Sequence, residues 1–429
     1  MVNKMAWRNL WRRKRRTLIT SFTVAFGTFL SISLTAMGDY AYTNIINRST
    51  TMGFGHITIE PMGYNDTPGL DKKITDVESI RNFVLQVPEV KSALVRIVGQ
   101  AMFASAIKNV GGTFIAIDPA KENSERNIFI SSIIEGFLFE ETDGRGVVIG
   151  TKMAKKLNLR IGKKLIYTVT DINGEIVSEI TRVTGIFKTG VDEVDGSMVL
   201  LPIDRIRATL GYKKDEATIV PIYTNDQRKT GKVRNVINRM IENPEVEVLT
   251  WNETQPETAG FITIDRGMNY LIQILLGLLI AAGILNTMLM NVLERTREFG
   301  IMMAVGMAPG RLVRLVLTES IWIGLVGLIF GVMITIPCYV YMSNIGIDFS
   351  GFYEEGSDVG GVLFDLVIKF RLYWESAVAI LCGVFVLTIV AGLYPAVRSG
   401  IQIGPNATCR NPEKSLKQKC HDTKCYRKP

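Results

Sequence analysis

Side chains able to attack a substrate or hold a transition metal near neutral pH are scarce in this 429-residue chain: two histidines, His56 and His421, and five cysteines. The histidines fall on opposite sides of the topology derived below, so no His-based catalytic cluster is expected. Cys338 and Cys382 lie inside long apolar runs, where a thiol serves as a small apolar group. Cys409, Cys420 and Cys425 surround His421 in a basic tail, but their spacing fits no standard metal site, and reduced, unpaired thiols are expected there. The sequence has no G-x-x-x-x-G-K-[ST] phosphate loop, no H-E-x-x-H, no G-x-S-x-G and no paired C-x-x-C. No metal, no cofactor and no catalytic residue is therefore expected in this chain.

Charge and apolarity show what such a chain is built for. Net charge is +8, yet seven basic side chains and no acid fall between residues 1 and 16, and eight basic against two acidic follow from Arg398 onward. Lys and Arg that flank apolar runs mark a cytoplasmic membrane edge, whereas a nucleic-acid groove would interleave them through a folded domain, so nucleic acid is excluded as a partner. Four windows are long and uncharged enough to cross a bilayer: Thr17 to Gly38, Gly267 to Leu293, Ser320 to Ile347 and Ser376 to Val397. The first lacks a small-x-small cleavage site and is read as a retained span. Basic residues predominate at the N-terminus, in Glu294 to Arg314 and in the tail, while acids predominate from Asp348 to Glu375. Both termini are thus expected inside and about 220 residues outside. The predicted organisation is a cytoplasmic interfacial helix (1–16), spans at 17–43, 267–293, 311–345 and 375–398, a large extracytoplasmic domain (44–264), a cytoplasmic helix and loop (294–310), a short external loop (346–374) and a basic cytoplasmic tail (399–429).

The outer segment has α+β patterning. His56 to Glu60, Thr113 to Ile117 and Val147 to Ile149 predict strands. Thr75 with Glu78 predicts a capping box, followed by a helix burying Ile80, Phe83, Val84 and Val87. Alternation from Lys164 to Phe187 about Asn173-Gly174 predicts a hairpin with a type I′ turn. Val233, Val236, Ile237 and Met240 repeat a helical spacing that Pro244 ends. The fold class expected is an α-helical membrane protein of four spans with a large α+β extracytoplasmic domain between the first and second.

Two clusters carry the functional argument. From Glu294 the chain reads E-R-T-R-E-F-G-I-M-M-A-V-G-M-A-P-G-R. A short helix stopped by Pro309-Gly310 makes a rigid lever, its charged first turn suits pairing with another protein, and small residues permit close approach. At the N-terminus, Trp7, Leu10 and Trp11 share one helical face while Arg8, Arg12 and Arg15 share another, the pattern of an interfacial anchor. Glu319 sits among apolar residues near the inner end of the third span, where an ionised carboxylate needs a partner; Arg311, Arg314 and the loop are within reach. Met268, Met288 and Met290 are read as lipid-facing. No Lys or Arg lies mid-span, so no wet conduit for a polar solute is expected.

The E-R-T-R-E-φ-G-I-φ-φ-A-φ-G stretch resembles the permease family that includes the lipoprotein-releasing (Lol-type) permeases, MacB and FtsX. Ala6-Trp7-Arg8-Asn9-Leu10-Trp11, Val148-Ile149-Gly150, Val183 to Gly190, Val199 to Pro202 and Tyr394-Pro395-Ala396 are also similar, so the resemblance covers almost the whole chain up to Pro405. It implies that Glu294, Arg295, Arg297, Glu298, Gly300, Ala304 and Gly306 belong to a coupling helix that docks on an ATPase. It implies a multi-pass bacterial inner-membrane permease acting with a separate ABC ATPase in two copies, which would carry the ATP and Mg2+. A second permease copy or a paralogue, membrane lipids, and a lipoprotein or periplasmic protein are the other partners implied. With no nucleotide-binding domain before the first span, the chain is not expected to be a full-length MacB. Lipoprotein release is the nearest expectation, with adaptor-linked efflux or switching of a cell-wall hydrolase as alternatives.

Overall fold

The computed structural model describes residues 2–12, 14–241, 243–348, 358–359, 362–363 and 367–403. His421, Cys409, Cys420, Cys425 and much of the 346–374 loop lie outside them. The chain divides into two units, one holding Met1–Tyr40, Arg266–Ile347 and the chain from Lys369 on, the other Ala41–Asp265 with Asp348–Ile368.

The first unit is a helical bundle. Among the described residues four helices are long and apolar enough to cross a membrane. They are span 1 (Lys14–Ser49), span 2 (Pro256–Glu294), span 3 (Pro309–Asn344) and span 4 (Trp374–Ile403), preceded by an N-terminal helix, Val2–Arg12. Spans 1 and 2 run past their apolar windows because a helix, once formed, continues wherever no breaker intervenes; their outer turns, 41–49 and 256–265, belong to the second unit. Within the bundle, close packing uses small residues, since lipid offers no hydrophobic drive between helices. A Cβ on Gly327 would lie 2.6 Å from Val24 Cβ, and one on Gly331 would lie 2.9 Å from Thr28 Cβ, so spans 1 and 3 cross almost backbone to backbone. Leu271, Ile274, Leu275, Leu278 and Leu279 of span 2 face outward, as do Met268 and Met290. Met288, expected to face lipid, is instead buried with Ile284 and Val292 against the other helices.

The second unit is the α+β domain, whose strands are β1 (Ile57–Pro61), β2 (Val90–Ala93), β3 (Ile97–Ala104), β4 (Asn109–Ile117), β5 (Ile133–Gly136), β6 (Gly146–Gly150), β7 (Lys164–Thr170), β8 (Ile176–Phe187), β9 (Met198–Pro202), β10 (Val220–Thr224) and β11 (Val246–Thr250). A four-stranded antiparallel sheet has the order β11-β1-β10-β2, with Ile57 opposite both Ile222 and Thr250. Helix Val77–Val84 connects β1 to β2, and helix Thr230–Met240 connects β10 to β11, giving the split βαβ arrangement. Between β2 and β10 a seven-stranded sheet is inserted, in the order β5-β8-β6-β9-β4-β3-β7. β7 also pairs with β8, from Lys164↔Arg182 to Thr170↔Ile176, so the sheet curls into a barrel with β5 on its flank. Its inward faces bury Phe103, Phe114, Val147, Leu165, Val183 and Val199 in one core with Ile57, Ile59 and Ile222 of the smaller sheet.

Three local expectations are corrected. Thr75 does not cap the first helix: the N-cap is Asp76 in the left-handed region (φ 56°), and Glu78 pairs with Arg81 (3.0 Å) and Lys121 (2.7 Å). Thr75 is unavailable because it is paired in a short strand opposite Glu216. On that helix and the later one, Val84, Val233 and Ile237 are buried, as is Val87 just past the first helix's end, whereas Phe83, Val236 and Met240 are exposed. The hairpin turn is not type I′, since Gly174 (φ 80°) is in the left-handed region and Asn173 is not. Asp171 accepts from the N–H groups of Asn173 (2.9 Å) and Glu175 (2.8 Å) and donates its own N–H to the Glu175 carbonyl, which stabilises a longer loop.

Candidate coupling site

Span 2 ends at Glu294, and Arg295 leaves helical geometry (φ −102°, ψ 11°) to serve as N-cap of a nine-residue loop helix, Thr296–Ala304. The break turns the chain without a proline. The stop is also different from the one expected: Val305 is the C-cap and Gly306 adopts φ 99°, while its N–H reaches the Met303 carbonyl (2.9 Å) and the N–H of Met307 reaches that of Met302 (3.0 Å). Only glycine takes that conformation without strain, so Gly306 ends the helix, and Pro309 instead begins span 3 at its first turn. Gly300 has open space where a side chain would stand, so within this chain it is not a close-approach residue.

The charged residues of the loop divide by direction. Arg295 is buried and donates from Nη1 to Glu319 Oε1 (3.0 Å) and from Nε to Glu298 Oε2 (3.0 Å). Burial opposes its charge, but Glu319 and Glu298 overcome that cost and hold the guanidinium above its usual pKa. Glu319, 3% exposed, also accepts from Asn9 Nδ2 (2.9 Å). Its partners are thus Asn9 and, from the loop, Arg295, not Arg311 or Arg314. Glu294 takes a two-pronged bond from Arg16 of span 1, both contacts 2.9 Å. Glu298 lies 3.7 Å from Arg12 as well. Phe299 is buried beneath the Arg295 guanidinium, 5.1 Å from its ring centre. Facing away are Arg297, Ile301, Ala304 and Val305, at one-turn spacing and exposed, Ile301 by 58% and Val305 by 84%.

A cavity of about 290 Å3 opens beside this cluster, lined among others by Asn9, Arg12, Arg16, Asn291, Arg295 and Glu319. The N-terminal helix forms one wall. Ala6 and Leu10 of that helix are buried in the bundle core; Trp7 and Trp11 are about 40% exposed, and Trp7 meets Trp322 edge-on at 4.8 Å. Leu10 therefore packs on protein and is not part of an outward apolar face with Trp7 and Trp11. Sequence reasoning missed Asn9 and Arg16 as members of the cluster. A lone Asn on an apolar face was the available signal for the first, and nothing local distinguishes Arg16 from its basic neighbours. Among the described residues no group of His, Cys, Asp and Glu could hold a metal ion.

The chain matches the model of the MacB-like periplasmic core domain over residues 17–239 and that of the FtsX-like permease C-terminal region over residues 270–400. It is 25% identical to an uncharacterized ABC transporter permease of Methanocaldococcus jannaschii, covering 94% of this chain and 96% of that one. It is 24% identical to the pyoverdine export ATP-binding/permease protein PvdT of Pseudomonas savastanoi pv. phaseolicola (80% of this chain, 53% of PvdT). To the macrolide export ATP-binding/permease protein MacB of Wolinella succinogenes it is likewise 24% identical (80% of this chain, 54% of MacB). The chain thus spans about half the length of these export relatives. Among solved structures, the extracellular domain of the transporter YknZ from Gram-positive bacteria aligns with 45% of this chain and 99% of its own (18% identity, TM-score 0.32). Four apolar helices, an α+β domain between the first and second, and a match to one family model over more than half of its length make this chain a multi-pass membrane protein that belongs to the MacB/FtsX family of ABC transporter permeases.

Proposed function

We propose that the loop helix Thr296–Ala304 is the element through which a separate ATPase drives this permease. The observation that carries the reading is the division of its side chains. Arg295 and Phe299 root the helix in the bundle, and Arg297, Ile301 and Val305 are left as an exposed, mixed basic and apolar face that has the composition of a protein-docking patch. A helix held this way moves as one piece with span 3, to which Arg295–Glu319 connects it, while Arg16–Glu294 ties the end of span 2 just before it to span 1. ATP and Mg2+ belong to the ATPase, and two permease chains with two ATPase copies form the working unit in the inner membrane, with both termini cytoplasmic. For cargo, the relatives named for pyoverdine and macrolide export favour adaptor-linked efflux driven by motion of the outer domain. Release of a lipid-anchored protein is the second reading. It is favoured by the outward apolar face of span 2, on which an acyl chain could rest.

The test uses a cysteine in place of Val305 in the full chain, co-expressed with its ATPase. Cross-linking to an ATP-binding subunit, lost together with transport-coupled hydrolysis in Ile301→Asp, supports the reading; a docked, fully coupled Ile301→Asp complex overturns it. Lipoproteins stranded in the inner membrane on depletion select release, and drug or siderophore sensitivity with normal sorting selects efflux.

A further inference from the structure

Where span 1 reaches the α+β domain the helix does not simply stop. After Ser49 the backbone makes one π turn, Thr50–Phe54, and Gly53 (φ 147°) and Gly55 (φ 71°) then swing it into β1. A side chain is excluded at Gly55, where a Cβ would lie 2.8 Å from the Ile222 carbonyl oxygen. A wide turn that ends on two glycines is a place where a chain bends easily. Here it is gripped.

Arg96 lies between β2 and β3 and is fully buried. Its backbone is held on both sides by Ile219, N–H to carbonyl in each direction at 3.1 Å. From this fixed base Nη1 donates to the Gly53 carbonyl (2.7 Å), while Nε and Nη2 donate to the two oxygens of Glu122 (2.6 and 2.9 Å). Glu122, 2% exposed at its side chain, also accepts from Asn127 Nδ2 (3.3 Å), and Asn127 caps the short helix Ile128–Ser131. The Tyr223 hydroxyl of β10 donates to the Arg126 carbonyl (3.0 Å) and lies 3.4 Å from the Thr50 backbone carbonyl oxygen, and its ring meets His56 edge-on. One guanidinium thus ties together the π turn, the passage from the small sheet into the barrel, and the 118–131 segment.

A buried ion pair is a poor source of stability, because desolvation offsets most of the attraction and apolar residues of like volume serve as well. What it supplies is direction: a planar, rigid guanidinium bonded to three acceptors at once fixes the placement of the turn. We propose that Arg96, held by Glu122, is the positioning residue of a rigid joint that locks the π turn of span 1 onto the α+β domain, so that a displacement of the helix reaches β1 without being absorbed by the two glycines. The inference gives the mechanical reading above its outward link and rests on that reading for its purpose, but the joint itself is tested without any ATPase.

The full chain in lipid nanodiscs is compared with Arg96→Met/Glu122→Met, which removes both charges together, and with Arg96→Lys, which keeps the charge but lacks the planar fork whose separate nitrogens reach the Gly53 carbonyl and both Glu122 oxygens. In both variants hydrogen exchange in residues 50–58 is expected to rise at least tenfold while the barrel strands keep wild-type protection and the melting midpoint stays within a few degrees. Spin labels at Ala41→Cys and Lys108→Cys should then give a broadened distance distribution. Wild-type exchange in 50–58 with an unchanged distribution, in either folded variant, overturns the joint. That result would leave the docking of the loop helix untouched, since none of these measurements involves it. If the double variant does not fold, Arg96→Lys alone decides.

Discussion

Removing the carboxylate of Glu319 tests whether the loop helix is rooted as described. The Arg295 and Glu319 side chains are 9% and 4% exposed, so each is paid for chiefly by the other. Breaking one side of such a pair typically costs about 3–5 kcal/mol. In Glu319→Met the stranded guanidinium keeps Glu298 at 3.0 Å, a partner 42% exposed, which places the loss at the lower end, about 3 kcal/mol or roughly a hundredfold in local opening. Hydrogen exchange of the full chain in detergent reads this at the amides of Phe299, Val305 and Gly306, bonded to the carbonyls of Arg295, Ile301 and Met303. Arg295→Met should act similarly, leaving Glu319 with only Asn9. The double variant strands neither charge and should recover at least half of the lost protection. Single variants that change exchange less than threefold, or a double variant whose loss is the sum of the two, would refute the rooting of the helix by this pair.

Burial lowers the His56 pKa to about 4, and Nδ1 accepts from the Thr224 N–H, so the neutral ring is the folded form; its contribution is present above pH 6.5 and lost as pH falls through about 4, roughly 3 kcal/mol that His56→Gln should abolish in acid titrations of the melting midpoint. Glu60 runs the other way: burial first, then Glu247, raises its pKa to about 7, so its stabilisation is complete below pH 4.5 and lost as pH rises through 7, and Glu60→Gln should be the more stable protein at pH 8 by up to roughly 3 kcal/mol in chemical denaturation. Gly327→Leu should force spans 1 and 3 apart at Val24 and lower stability by about 1–3 kcal/mol, read as a drop in the detergent melting midpoint and in cross-linking between cysteines on the two helices.

What could be read in advance was what solvent dictates. The apolar runs of the four spans are legible because a bilayer tolerates nothing else, and β1, β4 and β6 show themselves by β-branched residues around Ile57, Ile115 and Val148. Local chemistry was less secure. Thr75 and Glu78 have the spacing of a capping box, but strand pairing took the threonine; the box that forms is Thr250 with Glu253, at the end of β11. In the loop, the signature residues were legible and their partners were not. Asn9 meets Glu319 across 310 positions and Arg16 meets Glu294 across 278, and no periodicity carries information over such distances. Arg96 and Glu122 were invisible for the same reason, as a buried arginine has the same letter as a solvated one.

The barrel inserted between β2 and β10 also sets the order in which the outer domain can be made. β1 emerges directly behind span 1, yet its two neighbours in the sheet are β10 and β11, at Val220–Thr224 and Val246–Thr250. During synthesis β1 therefore waits, both edges open, until the whole barrel has crossed the membrane. Pairing over that separation is slow to close, and exposed strand edges invite wrong partners while it does. The barrel strands can pair beforehand, because β3 through β9 pair among themselves and the β7–β8 contact closes them, but the core they share with Ile57, Ile59 and Ile222 is complete only once β10 arrives. Biogenesis of this domain is thus a race between barrel completion and mispairing of a single early strand, and it makes the newly translocated chain, rather than the mature permease, the form most in need of a chaperone.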